Sequence, residues 1–343
     1  MRAFITGTAG FIGYHLANHL IDEGWTVHGY DGMTDYYDVS LKVARHDLLR
    51  ARAGFTATEA RLEDNDTLMR AVTRAAPDVV VHLAAQAGVR WSIENPRAYV
   101  DANIIGTFNV MEAARQRGAR HLLMASTSSV YGANTRMPYA ETDKCDTQMS
   151  FYAATKKANE AMGHAWAHIH KMPVTLFRFF TVYGPWGRPD MALFKFTRGI
   201  YEGRPIDIYN RGQMWRDFTY VTDLVRGIRL LIDVIPGPPH TAVEGDSLSP
   251  VAPFRVVNIG NSEKVRLEDF IDAIEAATGR KAIRNYMPMQ AGDVPATWAN
   301  AGLLQRLTGY RPQTDIREGV ARFVDWYRDY HHSEFDLKAR RPA

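Results

Sequence analysis

The chain has 343 residues, 46% hydrophobic and 23% charged, with a formal net charge of +3. That length suits one large or two modest soluble globular domains. So small a charge, with no basic block, gives no argument for nucleic acid or a membrane surface, while the single cysteine, Cys145, excludes an intrachain disulfide and a cysteine-based zinc cluster.

Residues 1–6 form a short apolar run, followed by Gly7-Thr-Ala-Gly10-Phe-Ile-Gly13 and then by helical spacing over 14–21. This is strand, glycine turn, helix. Gly7 suits the tight turn, Gly10 lets the backbone approach a pyrophosphate, and Gly13 lets the helix pack against the strand, with the helix N-terminus facing the anion. A second apolar segment, 25–30, ends at Asp31. An acidic residue there binds the hydroxyls of an adenosine ribose and repels a 2′-phosphate, so the expected cofactor is NAD rather than NADP.

Apolar runs recur at 3–6, 26–30, 79–83, 121–125 and 174–179, with amphipathic helical stretches between them. The alternation predicts an α/β fold, a Rossmann-type doubly wound parallel sheet. Ligands then bind at the carboxyl ends of the strands, where Gly7, Asp31, Ala84 and Thr127 fall.

Ser150-Phe-Tyr-Ala-Ala-Thr-Lys-Lys157 reads as helical, so Tyr152 and Lys156, four apart, share one face. An ammonium beside a phenol favours the phenolate. A free tyrosine titrates near pH ~10, and one drawn toward neutrality exchanges a proton with a substrate hydroxyl. The pair alone is a weak signal; the glycine turn at the start of the chain gives it weight.

The pattern changes after residue 180. Turn residues crowd 181–189, a helix is expected over 193–202 and a strand over 206–209. The expected division is a dinucleotide domain, 1–180, with returns near 218–233 and 255–261. A smaller α/β substrate domain takes 181–217 and 262–335, with helices over 265–278 and 316–330. Residues 236–253, rich in Pro, Ser and Gly, read as a surface loop. The histidines show no metal-ligand constellation, so no metal is expected. No apolar stretch has transmembrane length, and the first strand begins at Met1 with no room for a signal peptide, so the cytoplasm is the expected compartment.

G-x-x-G-x-x-G together with Y-x-x-x-K resembles the extended short-chain dehydrogenase/reductase family, over nearly the whole chain. Leu83-Ala-Ala85, Asn103 and Ser126-Thr-Ser-Ser-Val-Tyr-Gly132 match it as well. The resemblance implies Thr127 as a third catalytic member beside Tyr152 and Lys156, its hydroxyl holding the reacting oxygen. It implies cofactor contacts from Gly7, Gly10, Phe11, Ile12, Gly13, Asp31, Leu62, Leu83, Ala84, Ala85, Gln86 and Asn103, with Tyr152 and Lys156.

Within that family, four further stretches look like the UDP-glucuronate 4-epimerases, which interconvert UDP-glucuronate and UDP-galacturonate. They are Asp35-Tyr-Tyr-Asp-Val-Ser-Leu-Lys42, Gln86-Ala-Gly-Val-Arg90, the run from Arg178 to Met191, and Trp215-Arg-Asp-Phe-Thr-Tyr220. The resemblance implies a redox-neutral isomerase working through a 4-keto sugar, with NAD kept bound. It also implies UDP-sugar contacts from Arg90, Thr127, Ser128, Tyr152, Thr181, Arg188, Arg216 and Asp293. Of these, Arg188 faces the uronate carboxylate, Arg216 the diphosphate and Asp293 the ribose or its neighbours. The family's dehydratases carry Asp-Glu after the catalytic threonine and its decarboxylases a Glu two residues after it; here Ser128 and Ser129 stand there, and no carboxylate is placed to act at C5. A homodimer is implied, through helices over 98–117 and 152–170.

Three positions depart from the family. Arg61 precedes Leu62 where an adenine-contacting Asp is usual. Gln290 replaces an arginine found in UDP-glucose epimerases. Trp215 stands where an arginine is usual, and stacking on uracil, covering the diphosphate and filling an interface all remain open. The rival activities are UDP-glucose 4-epimerase, disfavoured by Arg188, and UDP-glucuronate decarboxylase, disfavoured by Ser129. An NAD-binding sensor without turnover is disfavoured by the complete Thr127, Tyr152 and Lys156 set.

Overall fold

The computed structural model describes residues 1–290 and 293–331. Its central sheet contains β1 (Arg2–Thr6), β2 (Thr26–Asp31), β3 (Phe55–Glu59), β4 (Val79–His82), β5 (His121–Thr127), β6 (Val174–Phe179) and the strand Phe254–Ile259. All seven run parallel, in the order Phe254–Ile259, β6, β5, β4, β1, β2, β3. The order reverses between β1 and β4, which opens a crevice at the carboxyl edge of the sheet.

Strands β4, β5 and β6 are buried along their whole length. That is why they read as unbroken apolar runs, as strands covered on both faces do. Edge strand β3 buries only Phe55, so it carries no such run. Alternate residues feed opposite cores. Ile5, Val27, Val81, Leu123 and Phe177 meet helices Phe11–Asp22 and Val221–Asp233 on one face. Phe4, Val80, Leu122, Met124 and Leu176 meet Asn65–Ala75, Gly106–Gln116 and Phe151–His170 on the other.

A third core lies outside the sheet. Helices Ala192–Glu202, Leu267–Thr278 and Ile316–Tyr330 bury Phe194, Phe270, Ile274 and Phe323 together. Phe270 stacks on Phe218 with ring centroids 4.2 Å apart. Strand Trp215–Arg216 sits between Val265–Arg266 and Ala296–Thr297. Segment 236–253 holds one short turn of helix, Pro239–Thr241. Residues 332–335 of the expected substrate domain lie outside the described residues.

Candidate active site

The cofactor turn forms where β1 meets helix Phe11–Asp22. Gly7 has φ +85, and a Cβ there would lie 2.8 Å from the Ala84 nitrogen. A Cβ on Gly13 would lie 2.0 Å from the Gly7 oxygen, so only glycine lets the helix approach so closely. No side chain caps this helix, and its first turn carries no acid. Its free N–H groups and positive dipole end therefore suit an anion. Asp31 closes β2, accepting from the Ala9 N–H and the Met33 N–H, each at 2.9 Å. Each carboxylate oxygen keeps lone pairs for a ribose hydroxyl. The turn, the open helix end and the acid together fit a dinucleotide.

A cleft of about 760 Å³ runs from this turn along the carboxyl edge of the sheet. Gly7, Gly10, Phe11, Ile12, Gly13, Asp31, Leu62, Leu83, Ala84, Ala85 and Gln86 line one part of it. Thr127, Tyr152, Lys156 and Arg188 line the other. Residues far apart in sequence thus meet in one cavity because every strand delivers its carboxyl end to the same edge.

Helix Phe151–His170 starts on a Ser150 cap, whose hydroxyl accepts from the Ala153 N–H at 3.1 Å. One face of that helix meets the end of β5 at three successive residues. The Lys156 ammonium donates to the Ala125 carbonyl at 2.9 Å. The Ser126 hydroxyl donates to Glu160 at 2.7 Å. The Thr127 hydroxyl lies close enough to Tyr152 to favour its ionised form. Behind them, Arg178 clamps Glu160 with two bonds of 2.8 Å.

The electrostatics differ from the sequence expectation. Burial raises the Tyr152 phenol above its ordinary value; the Thr127 hydroxyl and the Arg188 charge oppose the rise. Burial pushes Lys156 down to about 8. The expected lowering of the phenol by Lys156 is absent because the ammonium is turned onto the Ala125 carbonyl.

Arg188 meets Asp190 through Nε at 3.0 Å and Nη2 at 2.5 Å. Burial disfavours both charges, yet Asp190 holds the guanidinium firmly in its charged form and is itself held ionised by it. Among the described residues no hydrogen bond or ion pair of Arg188 beyond the Asp190 fork is seen at normal bonding distance, and its guanidinium lies 5.8 Å from the Tyr36 ring centroid. The remaining site residues of the sequence reading do not line the cleft. Asn103 is fully buried behind it, trading bonds of 2.8 and 3.0 Å with the Gln86 backbone, and so shapes the loop after β4. Ser128 and Thr181 adjoin lining residues Thr127, Phe180 and Val182.

Arg90 donates to Asp293 at 3.0 Å and lies over the Tyr209 ring. Arg216 donates to the carbonyls of Trp215 and Val294, both at 2.8 Å. It makes no pair with Asp217, which is fully buried and accepts from the Asn261, Ser262 and Ala299 N–H groups. Lys264 sits 4.7 Å from the ring centroids of both Trp215 and Trp298. Sequence reasoning gave no role to Tyr36, Lys42 or Trp91, which also line the cleft, or to Asp190. The signal for Tyr36 and Lys42 was the 35–42 stretch, similar to the epimerases but without a chemical reading.

The model of the NAD dependent epimerase/dehydratase family matches residues 3–243. The chain is 57% identical over 330 residues to a probable UDP-glucuronate 4-epimerase of Rhizobium meliloti (strain 1021), covering 95% of this chain and 97% of that protein. It is 43% identical to UDP-glucuronate 4-epimerase 4 of Arabidopsis thaliana, over 99% of this chain and 78% of that protein. The crystal structure of UDP-glucuronic acid 4-epimerase from Bacillus cereus, in complex with UDP-glucuronic acid and NAD, matches at a TM-score of 0.86 and 29% identity. That match covers 96% of this chain and 100% of the other. The chain belongs to the NAD dependent epimerase/dehydratase family.

Proposed function

We propose that this protein is an NAD-dependent isomerase that inverts C4 of UDP-glucuronate to give UDP-galacturonate, through a transient 4-keto sugar and without net redox. The carrying observation is one cleft that joins the glycine turn and Asp31 to the Tyr152–Thr127 pair and to Arg188. The relatives named above support the choice of sugar.

Bound NAD supplies a reversible hydride acceptor for C4. The N–H groups at the start of helix Phe11–Asp22 hold its pyrophosphate, Asp31 its adenosine ribose and Lys156 its nicotinamide ribose. Tyr152 takes the proton of the sugar 4-hydroxyl and later returns it, while Thr127 fixes the reacting oxygen. The keto sugar then presents its other face. Arg188 offers its guanidinium to the C5 carboxylate, with Asp190 steadying it. Ser128 and Ser129 bring no carboxylate to C5, so the keto acid lacks an acid/base group for decarboxylation or dehydration.

The larger unit carries the cofactor and the smaller one the UDP arm, with Arg216 at the diphosphate. A homodimer is part of the proposal. It is supported by Ile105, Phe108 and Ile169, which are 40%, 47% and 67% exposed on the two helices named for it. No helix among the described residues is long and apolar enough to cross a membrane, and we place the protein in the cytoplasm.

The test is incubation of purified protein with UDP-glucuronate and no added NAD, followed by NMR of the products. UDP-galacturonate is the expected product. A UDP-pentose, or turnover only with consumed NAD(H), refutes the reading.

A further inference from the structure

Between β2 and β3 the chain crosses residues 32–39 and enters helix Ser40–Arg50. Arg45, on that helix, is wholly buried. Its four acceptors are carbonyl and hydroxyl oxygens, not carboxylates. It donates to the Ala9 carbonyl, inside the glycine turn, at 2.9 Å. It also donates to the Trp186 carbonyl at 2.5 Å and the Gly187 carbonyl at 3.3 Å, the two residues just before Arg188. The Tyr37 hydroxyl accepts a fourth bond at 3.1 Å.

The neighbouring Tyr36 donates its hydroxyl to Asp190 at 3.2 Å, and Asp190 is the acid that holds Arg188. The turn so gripped has Trp186 at φ +60, a left-handed backbone that a bulky residue keeps only where its surroundings impose it. His15 adds a bond of 2.9 Å to the Pro185 carbonyl, from the first helix after the glycine turn.

A buried guanidinium is costly, the more so here because Arg45 Nε has no partner among the described residues, and an apolar side chain would fill the same space more cheaply. What arginine alone provides is a rigid fork that reaches two loops at once; a lysine ammonium is a single point. The fork here reaches the loop that approaches the pyrophosphate and the loop that bears Arg188.

We propose that Arg45 is a positioning residue that locks the Arg188 turn to the cofactor turn, with Tyr36 of the same segment fixing the Asp190–Arg188 pair. Cofactor retention and recognition of the sugar carboxylate then share one support. The inference rests on the function proposed above.

The experiment uses Arg45→Lys, Arg45→Met and Tyr36→Phe, in full-length protein. Sugar binding is measured by calorimetry in a Tyr152→Phe background, which removes turnover, and bound NAD by acid release from the purified protein. Arg45→Lys keeps the charge but not the fork. It should retain bound NAD and weaken UDP-glucuronate about tenfold, while UDP alone, which has no carboxylate, changes by under about twofold. Tyr36→Phe should do the same. Arg45→Met should lose bound NAD as well.

Equal weakening of UDP and UDP-glucuronate by Arg45→Lys and Tyr36→Phe, or weakening of neither, overturns the proposal. Should Arg45→Met fail to fold, those two variants decide alone. A parent protein that binds NAD and UDP but not UDP-glucuronate refutes the functional reading instead. In that event NAD lost from Arg45→Met and kept by Arg45→Lys supports the shared support, and NAD kept by both overturns it.

Discussion

The Lys156 ammonium donates to the Ala125 carbonyl at 2.9 Å, one helical turn beyond Tyr152 and two residues before Thr127. This bond fixes the distance between the helix that carries the phenol and the strand that carries the hydroxyl. Lys156 thus acts on the catalytic pair through geometry rather than by lowering the phenol.

Tyr152→Phe should reduce turnover of UDP-glucuronate by about a hundredfold or more, because it deletes the group proposed to exchange the 4-hydroxyl proton. Binding should persist, since Lys156, Ser126 and Glu160 still hold helix to strand. Single-turnover assays with calorimetry check both halves. Turnover near the wild-type rate removes Tyr152 from the chemistry.

Arg188→Ala should lower kcat/KM for UDP-glucuronate by roughly ten- to a hundredfold, the range for a charge-assisted pair. Any turnover of UDP-glucose, which has no carboxylate, should fall far less. Asp190 would then lose its fork and keep the Tyr36 hydroxyl. Arg188→Lys should recover part of the loss, because an ammonium cannot grip two acids at once. The assay compares both sugars across the variants; equal loss for both returns Arg188 to the diphosphate or the fold.

The sheet was legible where strands are buried on both faces. The runs at β4, β5 and β6 are apolar because helices cover both sides, whereas edge strand β3 buries Phe55 alone and gave no such run. The glycine turn was legible because its constraint is local: Gly13 must meet the Gly7 oxygen, six residues away. Thr127 came from resemblance, since nothing local distinguishes a reactive threonine from a β-branched strand end. Arg45 and Asp190 were not legible, because their meaning depends on partners brought from 141 and 154 residues away. The direction of the Tyr152 shift was misread for a related reason. Spacing puts an ammonium near a phenol but does not reveal that the ammonium is buried and the phenol half-buried, or where the ammonium points.

The contribution of Glu141 and Asp217 to stability should fall as pH rises from about 4 to 7, opposite in sign to that of the buried His15, His28, His82 and His121, whose pKa burial lowers. Burial pushes Glu141 up to about 7 and Asp217 up to about 6. The folded state therefore holds these protons more tightly than the unfolded chain, whose carboxyls titrate near ~4. The favourable contribution is full below that value and is lost as pH passes through the folded values. Glu141→Gln keeps an acceptor for the Asn258 N–H and removes the charge. Unfolding free energies of the two proteins, from denaturant titration, should converge near pH ~4 and separate above pH ~7, with the glutamine variant higher by an amount on the order of 1–3 kcal/mol. A constant gap across that range rejects Glu141 as the titrating group.

We propose that Arg216 holds the diphosphate of the UDP arm. Its guanidinium is half-buried and bonded to the Trp215 and Val294 carbonyls. Burial draws its pKa down, with the Asp293 charge acting against that. Among the described residues this cation makes no ion pair, and Asp293 is engaged by Arg90 at 3.0 Å. A diphosphate would supply an anionic partner. Arg216→Met should therefore weaken UDP about ten- to a hundredfold and leave uridine, which has no phosphate, nearly unchanged. If Arg216 serves only to tie residues 294–295 to strand Trp215–Arg216, the variant should melt earlier and lose uridine and UDP alike. Calorimetry with uridine and UDP, beside thermal melts of the unliganded proteins, separates the two. The same pair of ligands addresses Trp215: Trp215→Ala should weaken both equally if its ring stacks on uracil, and UDP alone if it covers the diphosphate. The Lys264 ammonium, 4.7 Å from that ring and from Trp298, favours the second outcome, because a second cation attracts a diphosphate more than a neutral base.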